Sequence, residues 1–221
     1  MPVVNQKLPE FPGFAVQYDP SAKPFFVSMV LEDMRKIASK DLGKTLLKSI
    51  ADATPRARQA AASANEAARA IIFNEGVNVV IVPTSMTYIQ TGYKMGFTPG
   101  SGMQKSMLPS THAAHNVPGC PYYPSGGSVA EAADISAAGD GTGTVSIMKY
   151  TNAQIVTAKG EATLPYIVLA HELIHSLHHV TGTRRDHGEE DWTTGIGLFS
   201  DNPMSENAFR KAFGIKPREK Y

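Results

Sequence analysis

Residues 164–180 read LPYIVLAHELIHSLHHV, and the pentapeptide His-Glu-Leu-Ile-His at 171–175 stands inside an otherwise apolar run. On a helix at about 100° per residue, His171 and His175 leave the same face one turn apart, so both imidazoles can reach a single metal ion. Glu172 lies on the flank, where it can exchange a proton with a water on that ion without taking a coordination position. Val168, Leu169, Leu173, Ile174 and Leu177 make the segment apolar on most sides, the pattern of an element buried in a core. Two histidines and a carboxylate inside such a helix need a shared purpose, because unpaired polar groups there are costly. The expectation is a helix that holds one zinc ion and ends at Gly182. His178 is almost in line with His171 but two turns on, about 10.8 Å along the axis, too far to share an ion with it. His178 and His179 are therefore expected as solvated histidines of the last turn, favourable to the helix dipole.

A catalytic zinc keeps three protein ligands and an open position. The pattern HExxHxxGxxH would need glycine and histidine where this chain has His178 and Thr181, so that class is excluded, as is its aspartate variant. Downstream, TRRDHGEEDWTTGIG offers Asp186, His187, Glu189, Glu190 and Asp191. Glu189 or Glu190, at the start of a second helix, is placed to complete a site of two histidines and one glutamate.

The segment EEDWTTG resembles the Glu-Glu-x-x-Thr-x-Gly stretch that follows the HExxH helix in clostridial neurotoxin light chains, and the tail SENAFRKAFGIKPREKY resembles their closing active-site segment. With HELIH, EExxTxG, SENxxR and a terminal RxxY, the chain is similar to the NleD-like family of bacterial type III effector metalloproteases, which includes the HopH and XopG types. The matching motifs cover residues 164–221, with a looser likeness at 42–50. The resemblance implies Glu189 as the third zinc ligand, Glu190 and Glu206 as carboxylates supporting the ligands from behind, and Arg218 with Tyr221 facing the scissile carbonyl. Arg and Tyr suit that task, since a tetrahedral oxyanion needs a positive or hydrogen-bond-donating partner. It also implies secretion by a non-classical, type III route, action in the host cytoplasm and cleavage of a host protein, with a kinase as one target class.

At 221 residues the chain suffices for one sizeable core. A net charge of +1 with 19% charged residues gives no basic field of the kind nucleic-acid binding needs. A single cysteine, Cys120, excludes an intrachain disulfide. The opening MPVVNQKLPEFPGF has neither a charged nor an apolar signal region, and no run reaches the roughly 18 apolar residues of a membrane span. A monomer is expected. Residues 1–24 read as a flexible segment compatible with a type III secretion signal, and 25–221 as the catalytic domain.

Within 25–50, Phe26, Val30, Met34 and Ile37 recur at helical spacing, followed by a break near 41–43 and a second short helix. Thr54-Pro55 opens a third, alanine-rich helix over 55–73. Residues 77–82 and 143–148 read as strands. The stretch 92–143 is rich in glycine and proline and reads as a long loop that shapes the substrate cleft. Its His112, His115 and Cys120 form too incomplete a set for a second zinc site, and the prolines around Cys120 deny it the helix start that would activate a nucleophile. Asp140-Gly-Thr-Gly reads as a turn into a strand.

The fold expected is α+β, a zincin-like domain of the gluzincin type with the active-site helix beside a small sheet, and the expected activity is that of a zinc metalloendopeptidase. Two other classes are compatible with the sequence. One is a non-catalytic effector that binds a host protein on the same scaffold, against which the intact Glu172 speaks. The other is a metal-dependent amidase, against which Arg218 and Tyr221 speak.

Overall fold

A computed structural model describes residues 4–21, 23–56, 76–83, 128–152, 155–156 and 162–219. Most of the stretch read as an alanine-rich helix, His112, His115, Cys120 and Tyr221 lie outside these residues. The fold is mixed α and β. Its main sheet has the order β1-β2-β3-β5-β4, from β1 (Val4–Lys7), β2 (Phe14–Tyr18), β3 (Val79–Pro83), β4 (Val129–Ala132) and β5 (Ser146–Tyr150). β2, β3 and β5 run parallel, while β1 and β4 are antiparallel to their neighbours and form the two edges among the described residues. A short pair, β6 (Ile155–Val156) and β7 (Ala162–Thr163), stands apart.

The β-branched run Val79, Val80, Ile81 is buried on both faces, as a central strand requires. β5 alternates instead: Ser146, Met148 and Tyr150 are fully buried, with Ile147 and Lys149 between them partly exposed. Five helices complete the described part: α1 (Phe26–Ala38), α2 (Asp41–Asp52), α3 (Pro165–Thr181), α4 (Glu189–Thr194) and α5 (Glu206–Ala212). α3 is the hub, packed on α1, α2, α5, β4 and β5. Its Leu169, Leu173 and Ile174 have no exposed surface, and burying each contributes about 1.5–3 kcal/mol. Pro165 occupies the first turn, where its missing N–H costs nothing. Gly182 closes the helix at φ 72°, with its own N–H and that of Thr183 returning to the His179 and His178 carbonyls. No helix among the described residues is long and apolar enough to cross a membrane.

α1 buries Phe26, Val30, Met34 and Ile37, the periodic set read from the sequence. The break to α2 falls at Ser39 and Lys40, slightly earlier than expected, and α2 crosses α1 so closely that a Cβ on Gly43 would lie 1.9 Å from the Ile37 carbonyl oxygen. The opening segment, read as flexible, supplies β1 and β2, with Phe14, Ala15 and Val16 buried. The long loop read over 92–143 likewise contains the edge strand β4. Residues 140–143 do form a turn, in which Asp140 accepts from the Thr142 N–H at 2.8 Å.

Between sheet and helices, the Tyr150 hydroxyl donates to the buried Asp33 carboxylate at 2.6 Å. Burial pushes the Asp33 carboxyl up, and the Tyr150 hydrogen bond opposes that shift. Tyr150→Phe leaves this carboxylate without its hydroxyl donor. It is expected to cost about 1–3 kcal/mol, read as a lower urea midpoint at unchanged slope.

Candidate metal centre

The Nε2 atoms of His171 and His175 lie 3.1 Å apart. Glu190 Oε2 is 3.3 Å from each of them. Three atoms bound to one ion at 2.0–2.1 Å in tetrahedral directions are about 3.3–3.4 Å from each other, so the set has the dimensions of a zinc site. The remaining ring nitrogens are committed elsewhere. His171 Nδ1 donates to Glu206 Oε2 at 2.9 Å, and His175 Nδ1 donates to Glu189 Oε1 at 2.9 Å. Because a carboxylate only accepts, each histidine carries its proton on Nδ1 and turns an Nε2 lone pair inward. Two imidazole lone pairs and a carboxylate oxygen thus converge on one point, an arrangement that calls for positive charge between them. A proton on His171 Nε2 can meet the same demand: burial alone would lower the His171 pKa, but Glu190 and Glu206 raise it to about 10, and a bound ion would take that proton's place.

The chain sets up this geometry locally. Gly188 adopts φ 71° and starts α4, so Glu189 and Glu190 leave the first turn roughly 100° apart, one toward each side of His175. Sequence reading expected Glu189 at the metal and Glu190 behind it; in the structure Glu190 faces the two Nε2 atoms and Glu189 the Nδ1 side of His175. Glu189 is nearly buried and accepts from His175 Nδ1, from His178 Nδ1 at 2.7 Å and from the Arg185 N–H at 2.9 Å. Glu190 is half-exposed and faces the Nε2 atoms. Burial would raise both carboxyls, but the adjoining histidines hold them well below the usual range. His175, His178 and Glu189 also form a compact group able to meet one ion. Its histidine atoms are the Nδ1 donors already bonded to Glu189, which makes it the support of the first group.

His178 and His179 are not solvated: each is 4% exposed. His178 stacks on the Trp192 indole at 3.8 Å and 1°, and the Arg185 guanidinium covers that indole at 4.4 Å. His179 Nδ1 meets Ser146 Oγ of β5 at 3.0 Å, and burial lowers its pKa to about 3. The covering groups come from α4 and β5, distant in sequence, which is why the helical pattern alone did not reveal them.

Behind His171, Glu206 is 2% exposed and accepts from Arg210 Nε at 2.6 Å and from Arg218 Nη1 at 3.0 Å. Ser205 caps α5 through the Ala208 N–H, and Asn207 pins the tail by bonding the Arg218 N–H and carbonyl. Arg218 is therefore fixed against Glu206. Glu172, on the other flank of α3, accepts from the Ala130 N–H of edge strand β4 at 2.8 Å. Burial raises the Glu172 carboxyl, with His171 and His175 pulling it back. Glu172, His175, His179, Glu189 and Glu190 open on a cavity of about 470 Å³, walled also by residues 128–130, 184–186, 188 and 191.

No protein-family model matches the chain, and no curated protein matches it. Among solved structures, the light chain of Clostridium botulinum neurotoxin serotype F aligns over 96% of this chain and 64% of its own length, at 14% identity and a TM-score of 0.51. The botulinum neurotoxin type D light chain gives 16% identity, the same coverages and a TM-score of 0.48. The type G light chain gives 15% identity over 77% of this chain and 44% of its own, with a TM-score of 0.41. The chain spans less than two thirds of the light chains it matches. At these identities the serotype F likeness speaks for the fold alone: the chain shares the fold of a neurotoxin light chain.

Proposed function

We propose that the chain is a zinc metalloendopeptidase of the gluzincin type, with His171, His175 and Glu190 holding the metal. The observation that carries this reading is the convergence of two Nε2 lone pairs and one carboxylate oxygen at mutual distances of 3.1 and 3.3 Å, each imidazole being held from behind by a buried carboxylate. A zinc ion bound there supplies a Lewis acid and brings the pKa of a water molecule toward about 7.

The remaining chemistry belongs to the protein. Glu172 is placed to take the proton from the attacking water and return it to the leaving amine; its upward-shifted carboxyl suits a group that must both accept and release a proton near neutrality. The Ala130 N–H orients that carboxylate from β4, an edge strand among the described residues. Glu189 and Glu206 fix the tautomers of His175 and His171; burial would raise the Glu206 carboxyl, but His171 first, and then Arg218 and Arg210, hold it low. Arg218 is thus assigned first to Glu206. Its role at the oxyanion, together with Tyr221, rests on the motif resemblance, as do delivery into a host cell and a host protein as substrate.

The test is a proteome-wide comparison of new N-termini produced by the chain and by its Glu172→Ala form in a eukaryotic lysate. Cleavages unique to the active form, lost on chelation and regained with zinc, are the expected result. Identical termini from both forms would overturn the reading.

A further inference from the structure

His179 is a buried imidazole that the proposed chemistry does not use. A one-way chain of hydrogen bonds fixes its proton. Ser176 Oγ–H donates to the Glu172 carbonyl at 3.0 Å, and a carbonyl can only accept. Ser176 Oγ therefore receives the Ser146 hydroxyl at 3.0 Å, and Ser146, its own proton spent, must accept from His179 Nδ1–H at 3.0 Å. That leaves the His179 Nε2 with a lone pair, and the ring lines the same cavity as Glu172.

On α3, residue 179 follows Glu172 by seven positions, so it lies within about 20° of the same face and about 10.5 Å further along the axis. An extended peptide covers that distance in about three residues. We propose that His179 is a specificity-determining residue whose Nε2 accepts a hydrogen bond from a donor-bearing substrate side chain about three residues from the cleaved bond. Serine, threonine, asparagine, glutamine, lysine and arginine side chains fit this acceptor. Aspartate and glutamate do not, because their oxygens would oppose the lone pair beside Glu189 and Asp191, which line the same cavity. The lowered pKa of His179 keeps the ring neutral, and so an acceptor, throughout the neutral range. The subsite rests on reading the cavity as a peptide-cleaving site.

The experiment has two arms on the full chain. In the first, a randomised peptide library is digested by wild type, His179→Phe and His179→Gln. Wild type is expected to favour donor side chains at one position about three residues from the cut by about 5–10-fold, the worth of one hydrogen bond. His179→Phe is expected to lose that preference, and His179→Gln, which restores an acceptor oxygen, to keep most of it. Cleavage by wild type without the preference, or a preference that survives in His179→Phe, overturns the subsite alone. A library left uncut by wild type overturns the protease reading and the subsite with it. The second arm needs no turnover: long-range ¹⁵N–¹H spectra are expected to show His179 protonated on Nδ1 and bare on Nε2 at neutral pH. A proton on Nε2 would overturn the acceptor assignment whatever the activity.

Discussion

Glu172→Gln is expected to lower kcat by about 10²–10⁴-fold while leaving zinc content and fold intact. The amide is isosteric and its oxygen can still accept the Ala130 N–H, so the contact between α3 and β4 survives. It also removes a buried charge, so unfolding stability should be equal or slightly higher. What is lost is the ability to take a proton from water. Since that transfer belongs to the transition state, kcat and kcat/KM should fall together with little change in KM. A variant that keeps most of its turnover would remove Glu172 from the chemistry, and one that loses its zinc would make it a structural residue.

The second large effect separates the adjacent glutamates. Glu190 meets both Nε2 atoms, whereas Glu189 meets the Nδ1 side of His175 and His178. Glu189→Gln is therefore expected to weaken zinc binding by about 10–100-fold, the usual cost of losing a partner behind a ligand. Glu190→Ala removes a donor atom itself and should exceed that range. Competition titration against a chromophoric chelator measures both, and the reverse order would return Glu189 to the metal.

α3 was legible because several signals agreed on it: an apolar surround, the spacing of His171 and His175, and Gly182 as the stop. α1 and β5 were legible for similar reasons, each carrying a clean period in its own residues, and β3 as a continuous β-branched apolar run. β1 and β2 were not. Pro9, Pro12 and Gly13 dominate the reading of that stretch, and Phe14–Tyr18 becomes a strand only because β3 lies beside it in parallel, more than sixty positions on. His178 and His179 were misjudged for the same physical reason. A helix pattern reports its own face, while Trp192 and Ser146, which cover these rings, arrive from α4 and β5. The order of Glu189 and Glu190 depends on the start of a six-residue helix, where one position of rotation exchanges the side facing the Nε2 atoms for the side facing Nδ1.

The most direct test of the metal centre is a crystal structure of the zinc-loaded chain with anomalous data collected at the zinc edge. The account predicts one strong peak about 2.0–2.2 Å from His171 Nε2, His175 Nε2 and a Glu190 carboxylate oxygen, with Glu189 and Glu206 still bonded to the Nδ1 atoms. A peak bound instead by His175, His178 and Glu189, or no peak in protein saturated with zinc, would contradict it.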